Sequence, residues 1–155
     1  MMPSPQSVVV RELPIAELSQ LEDCAREFYA ASRFLKRFDM ELFQTVWTGL
    51  VSSGTGVVFV LTNAAGEIQG TLGGVAVPDI YSGDPIATEF FWFVRPGARG
   101  RGLDLLRAFE QWARAKGCVQ LRMARLLDVM PERLDRIYRR LGFEAVEVNY
   151  HKELL

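Results

Sequence analysis

The sequence predicts an α/β (α+β) fold, one mixed central β-sheet flanked by helices on both faces. Three observations carry that expectation. Strand-like runs and amphipathic helical stretches follow one another in the order β-α-α-β-β-β-α-β-α-β along 155 residues. The run Phe90-Phe91-Trp92-Phe93-Val94 is unbroken and apolar, the mark of a strand covered on both faces. Pro96-Gly97 stops that run just before a helical stripe, so 86–124 reads as strand, crossover helix and parallel strand of right-handed sense. The length fits a single domain over residues 1–155, enough to bury about two-thirds of the unfolded surface without staples.

The elements follow in order. Val8-Val9-Val10-Arg11-Glu12-Leu13 is a first strand. Pro14 suits a first helical turn, and Ile15, Leu18, Leu21, Ala25 and Phe28 recur at helical spacing. Arg33-Phe34-Leu35-Lys36 joins this helix to a second, capped by Asp39 and carrying Leu42, Phe43, Val46, Trp47 and Leu50. Gly56–Thr62 is a strand, Asn63-Ala64-Ala65-Gly66 a hairpin loop, and the return strand runs from Glu67 to about Val77. Its glycines, Gly70, Gly73 and Gly74, point to bulges or close backbone approach. A turn-rich excursion from Pro78 to Pro85 precedes the central strand 86–94. Helix 101–116 ends at Gly117, Cys118–Ala124 is a strand, Pro131 opens a helix that Gly142 closes, and Phe143–Tyr150 is a last strand or pair of strands.

Composition narrows the function. The start Met-Met-Pro-Ser-Pro-Gln-Ser has no basic patch or apolar core of a signal peptide, and no run reaches membrane-spanning length. A cytoplasmic protein away from membranes is expected. Cys24 and Cys118 fall in core-like patterns and read as free thiols; with one histidine and no Cys/His cluster, no metal is expected. Residues 1–94 carry 5 basic and 11 acidic side chains, against 12 basic and 5 acidic in 95–142. Either these are solvated helix faces, or a basic half holds an anion beside an acidic half that receives a cation.

The junction after the central strand is a candidate anion site. The first N–H groups of a helix lack partners, and the positive end of its dipole lies there. Gly100 and Gly102 allow close approach, while Arg95, Arg99 and Arg101 add positive charge. A tight turn is the plain alternative. The phosphate-binding patterns G-x-x-x-x-G-K-[ST] and G-x-G-x-x-G are both missing.

Val94-Arg95-Pro96 followed by Arg99 and Gly102 resembles motif A of the GNAT superfamily of N-acetyltransferases, [Q/R]-x-x-G-x-[G/A] after a strand ending V-x-P. The order of elements is the one the resemblance implies. It implies acetyl-CoA as co-substrate, with pantetheine along the backbone of Trp92, Phe93 and Val94. The pyrophosphate would lie on the amides from Gly100 through Arg101, Gly102 and Leu103 to Asp104, with Arg99 beside them. Asp104 departs from the pattern, which has a small residue there. A carboxylate repels pyrophosphate unless Arg99, Arg101 or Arg107 draws it aside.

Tyr138 heads a Y-x-x-x-G-F segment with Gly142 and Phe143, similar to the one whose tyrosine protonates the leaving thiolate in the family; a packed core tyrosine is the alternative. Glu89 is the carboxylate of the central strand. In an unbroken strand it shares a face with Phe91 and Phe93, where burial would raise its pKa towards that of a general base; otherwise it is a solvated strand-end residue. His151, near the terminus, is the weaker base candidate.

The expected activity is acetyl transfer to an amine by direct attack in a ternary complex, with Glu89 and Tyr138 as the catalytic pair. The acceptor is a small-molecule or protein amine. The short tail after Phe143 leaves the pocket to be completed by a second subunit, so a homodimer is expected. A non-catalytic GNAT-like module that binds coenzyme A weakly and works through a protein partner is the alternative, favoured by Asp104. Nucleic-acid binding by the arginine-rich half ranks last.

Overall fold

The computed structural model describes residues 8–32, 37–126 and 131–154. The linker Arg33-Phe34-Leu35-Lys36 and the start read above as lacking a signal peptide lie outside the described residues. Five strands, β1 (Val9–Glu12), β2 (Gly56–Thr62), β3 (Ile68–Pro78), β4 (Pro85–Val94) and β5 (Gln120–Arg122), form one sheet in that order. Neighbours from β1 to β4 are antiparallel, and β5 lies parallel to β4, so the sheet is mixed as expected. The helices are α1 (Glu22–Ala31), α2 (Met40–Ser52), α3 (Gly102–Ala115) and α4 (Pro131–Arg140).

All seven residues of β2 are buried, which explains why its sequence shows no polar alternation. Val58 and Val60 join Leu13, Leu18, Leu21, Cys24 and Trp47 on one face of the sheet. Val57, Phe59 and Leu61 join Leu72, Leu105 and Phe109 on the other. Asp39 caps α2 by accepting from the Leu42 amide at 3.0 Å, and α4 closes with the Phe143 amide donating to the Tyr138 carbonyl at 2.9 Å. Cys24 and Cys118 are free thiols. Among the described residues, no helix is long and apolar enough to cross a membrane, and no group of His, Cys, Asp and Glu could hold a metal ion.

The structure departs from the sequence reading in three places. The first helix opens with a 3-10 stretch, Ile15–Leu21, before α1 begins. β5 is shorter than the apolar run Cys118–Ala124 implied. Finally, Phe143–Tyr150 forms no strand. The chain after α4 finds no sheet edge within its own fold and lies almost wholly exposed.

Candidate active site

The site starts from a mismatch between two strands. β5 pairs with β4 only from Ile86 to Thr88, whereas β4 continues to Val94. From Glu89 onwards, one side of the β4 backbone therefore has no neighbouring strand, while the other side remains paired with β3. A bulge sits at the parting point: Gly74 lies opposite Glu89 and Gly73 opposite Phe91, leaving Phe90 as the extra residue. The glycines of β3 make this packing feasible. A Cβ on Gly73 would come within 2.2 Å of the Phe91 ring, and one on Gly74 within 2.3 Å of Phe109.

The bulge overturns one expectation. Phe91 packs on Trp47 and Phe43, with ring centroids 5.0 and 5.6 Å apart, and Phe93 meets Phe28 at 6.0 Å. Glu89 does not share their face. It follows Ala87 towards the α3 side, and the extra residue brings Trp92 and Val94 back to that same side.

There Glu89 meets Ala124 and, through it, Tyr138. The Ala124 amide donates to Glu89 Oε2 at 3.0 Å, and the Tyr138 hydroxyl donates to the Ala124 carbonyl at 2.7 Å. Burial pushes the Glu89 carboxyl up to about 7, and the Ala124 hydrogen bond only partly opposes it. Burial, and to a lesser degree the Glu89 charge, raises the Tyr138 hydroxyl well above its ordinary value. The tyrosine ring is packed between Trp92 and Phe143, at 6.1 and 5.4 Å. Tyr138 is thus both a core residue and one with a placed hydroxyl.

Beyond β4, Pro96–Ala98 form a 3-10 turn, and Gly100 takes a φ of +99°, a left-handed conformation that favours glycine. The amides of Gly100 and of Gly102 and Leu103, the first two residues of α3, have no hydrogen-bond partner among the described residues. Space beside Gly100 is open. Gly102 is different, since a Cβ there would lie 3.0 Å from Val94 Cγ2 and 3.5 Å from Trp92 Cζ2. It serves to dock α3 against β4.

Asp104 is drawn aside. Its two oxygens accept from Arg101 Nε at 2.7 Å and from Arg107 Nη1 at 3.3 Å, and Arg101 also donates to the Val8 carbonyl at 3.1 Å. Two guanidinium groups thus hold one carboxylate, and Arg99 in the same loop adds a third positive charge to this corner. Arg95 does not belong to the corner. It turns to the α1 side, where it bonds the Ile68 carbonyl and pairs with Glu27 at 3.2 Å. A hollow of about 260 Å³ between Asp23, Cys24, Glu67 and Arg95 also lies on that side, away from Glu89 and Tyr138. His151 sits exposed in the terminal arm.

The parted strand, the adjoining loop of partnerless amides and the positive corner form one continuous feature. A family model described as the acetyltransferase (GNAT) family matches residues 17–143. The chain belongs to the GNAT family. It is an N-acetyltransferase of the EC 2.3.1 type. Solved GNAT-like structures agree in fold. A putative acetyl transferase from Pyrococcus furiosus is 22% identical, with a TM-score of 0.73, over 96% of this chain and 100% of the other. The aminoglycoside N-acetyltransferase AAC(6')-Iy, solved in complex with CoA, is 18% identical, with a TM-score of 0.74, over 100% of both chains. Glucosamine-6-phosphate N-acetyltransferase from Arabidopsis thaliana is 15% identical, with a TM-score of 0.74, over 96% and 99%. A search of curated proteins gave no significant match.

Two features of the site escaped sequence reading. The Phe90 bulge had a partial signal in the opposing glycines. The Ala124 backbone had none, because a peptide group that receives two side chains leaves no mark on its own residue type.

Proposed function

We propose that this N-acetyltransferase uses acetyl-CoA and passes the acetyl group to an amine by direct attack in a ternary complex. One observation carries the reading: the unpaired side of β4 from Glu89 to Val94 runs directly into the partnerless amides of Gly100, Gly102 and Leu103. An extended pantetheine can add to such an edge as a strand would, with Trp92, Phe93 and Val94 offering backbone groups. Of the loop amides from Gly100 to Asp104, those of Arg101 and Asp104 donate to the Ala98 and Arg101 carbonyls, so Gly100, Gly102 and Leu103, with Arg99 and Arg101 around them, are the ones that suit a pyrophosphate. When bound, acetyl-CoA supplies an activated thioester.

Glu89 takes a proton from the acceptor amine, directly or through water. A carboxyl raised to about 7 is half ionised near neutral pH, where a general base works best. Tyr138 keeps its proton at neutral pH and serves as the donor to the departing sulfur, letting go of the Ala124 carbonyl as it does so. Positioning supplies most of the acceleration, as expected when two bound reactants meet without a covalent enzyme intermediate.

The acceptor is a small-molecule or protein amine. Neighbours of this fold include aminoglycoside, glucosamine-6-phosphate and ribosomal-protein-alanine acetyltransferases, so sugar amines and peptide amines are the first to try. The acidic half of the chain suits a cationic acceptor. We read residues 1–155 as one acetyltransferase domain, working in the cytoplasm as a homodimer, with nucleic acid an unlikely partner. The non-catalytic alternative leaned on Asp104, and the pairing of Asp104 with Arg101 and Arg107 takes away that support.

Acetyl-CoA should raise the melting temperature, since a ligand that binds the native state stabilises it by mass action. An amine panel should then release free thiol. No shift at millimolar acetyl-CoA contradicts the reading.

A further inference from the structure

Phe90, the extra residue of the bulge, is the one large apolar side chain of β4 that is exposed. It is 63% exposed, whereas its neighbour Phe91 packs on Phe43 and Trp47. The Phe90 ring meets Trp47 edge-on, with centroids 6.2 Å apart, so it stands on the α2 side of the sheet while Glu89 stands on the α3 side. A single exposed apolar residue is ordinary on a protein surface. This one sits where an added residue re-aims the strand, next to the candidate base and at the edge where β5 leaves β4.

The helix that supplies Trp47 is apolar on its outer side as well. Leu42 and Val46 lie one turn apart on α2 and are 59% and 47% exposed. Glu41 is the one charged side chain in Met40–Ser52, and Glu89 is the one in β4. A polycation needs several carboxylates around it, and these two elements do not supply them. An amine with an apolar body needs one carboxylate and an apolar wall, and they supply both. Such an amine is still a cation at neutral pH, in keeping with the acidic half of the chain.

We infer that the acceptor is a primary monoamine bearing an aromatic or similarly bulky apolar group, and that Phe90 selects it by packing on that group. The inference rests on the acetyl-CoA reading above. The neutral nitrogen bonds to the acetyl carbon as the carbon–sulfur bond breaks; its proton goes to Glu89, and the sulfur takes the proton of Tyr138. The products are the N-acetyl amide and the free thiol.

The test compares thiol release from acetyl-CoA with 2-phenylethylamine, glucosamine and kanamycin as acceptors. 2-Phenylethylamine should show a kcat/KM about tenfold or more above either of the others. Phe90→Ser should raise its KM about tenfold with kcat retained, and Phe90→Leu should recover most of the loss. Calorimetric titration of 2-phenylethylamine in the presence of coenzyme A should weaken by the same factor in Phe90→Ser. Preference for glucosamine or kanamycin, no turnover of 2-phenylethylamine by a protein that acetyl-CoA stabilises, or an unchanged KM in folded Phe90→Ser each overturns the inference and leaves the acetyl-CoA reading standing. If acetyl-CoA does not raise the wild-type melting temperature, that reading fails and the inference falls with it. If Phe90→Ser does not fold, the wild-type acceptor comparison decides.

Discussion

Glu89 and Tyr138 hold the backbone of Ala124 between them, the carboxylate accepting from its N–H at 3.0 Å and the phenol donating to its carbonyl at 2.7 Å. Neither contact follows from the spacing of the two residues in sequence. The bulge at Phe90 sends Phe91 and Phe93 to the opposite face and brings Trp92, which packs on the Tyr138 ring, to the side of the sheet that Glu89 shares with Ala87.

Glu89→Gln should lower kcat by 10²–10⁴, the usual share of a general base. In the wild type, kcat/KM should rise through about pH 7 and then level. Stability should show the opposite trend. The folded carboxyl holds its proton more tightly than the unfolded chain, its pKa moving from 4.5 to about 7, so stability falls as pH rises across that window. The charge costs on the order of 3 kcal/mol at most. Thermal melts should therefore find Glu89→Gln more stable than wild type above pH 7 and no better near pH 4.

Tyr138→Phe keeps the ring contacts to Trp92 and Phe143 and loses only the hydroxyl. Loss of its hydrogen bond to Ala124 should cost roughly 0.5–1.5 kcal/mol, with the fold intact. Turnover should fall much further than that modest loss of stability would explain. Unchanged kcat in a folded protein would make Tyr138 a packing residue alone.

Asp104→Ala should tighten coenzyme A binding, with the gain below tenfold at low salt and shrinking as salt is added. The carboxylate is already held by Arg101 and Arg107, so its field on the loop is mostly cancelled before the mutation. Calorimetry showing no change would mean that no anion docks near Asp104. A gain of two decades would mean that the arginine clamp opens in solution.

Gly74→Ala should destabilise by about 1–3 kcal/mol, because the new Cβ meets both the Phe109 ring at 2.3 Å and the Thr88 carbonyl at 2.8 Å. Denaturant unfolding would measure it. Activity should drop as well, since relief of the clash shifts β4 next to Glu89.

Much of this was legible in the sequence, for local reasons. The Asp39 cap, the Asn63–Gly66 hairpin loop and the Gly117 and Gly142 stops are turn chemistry written in single residues. The strand, loop and helix around Arg99 and Gly102 were likewise readable, down to the arginines that neutralise Asp104. The bulge was not, because whether a strand gains an extra residue depends on what the opposing glycines leave room for. Arg95 and Arg101 look alike in sequence, yet one pairs with Glu27 across the sheet and the other with Asp104. Phe143–Tyr150 has the period of a strand, and a period cannot say whether an edge lies within the same chain.

The most direct test of the whole account is hydrogen exchange with and without acetyl-CoA, read by mass spectrometry at single-peptide resolution. Slowed exchange confined to the β4 peptide ending at Val94 and to the loop amides around Gly100–Asp104 is the result expected. Unchanged exchange in both segments at saturating coenzyme, or protection centred elsewhere, would contradict it.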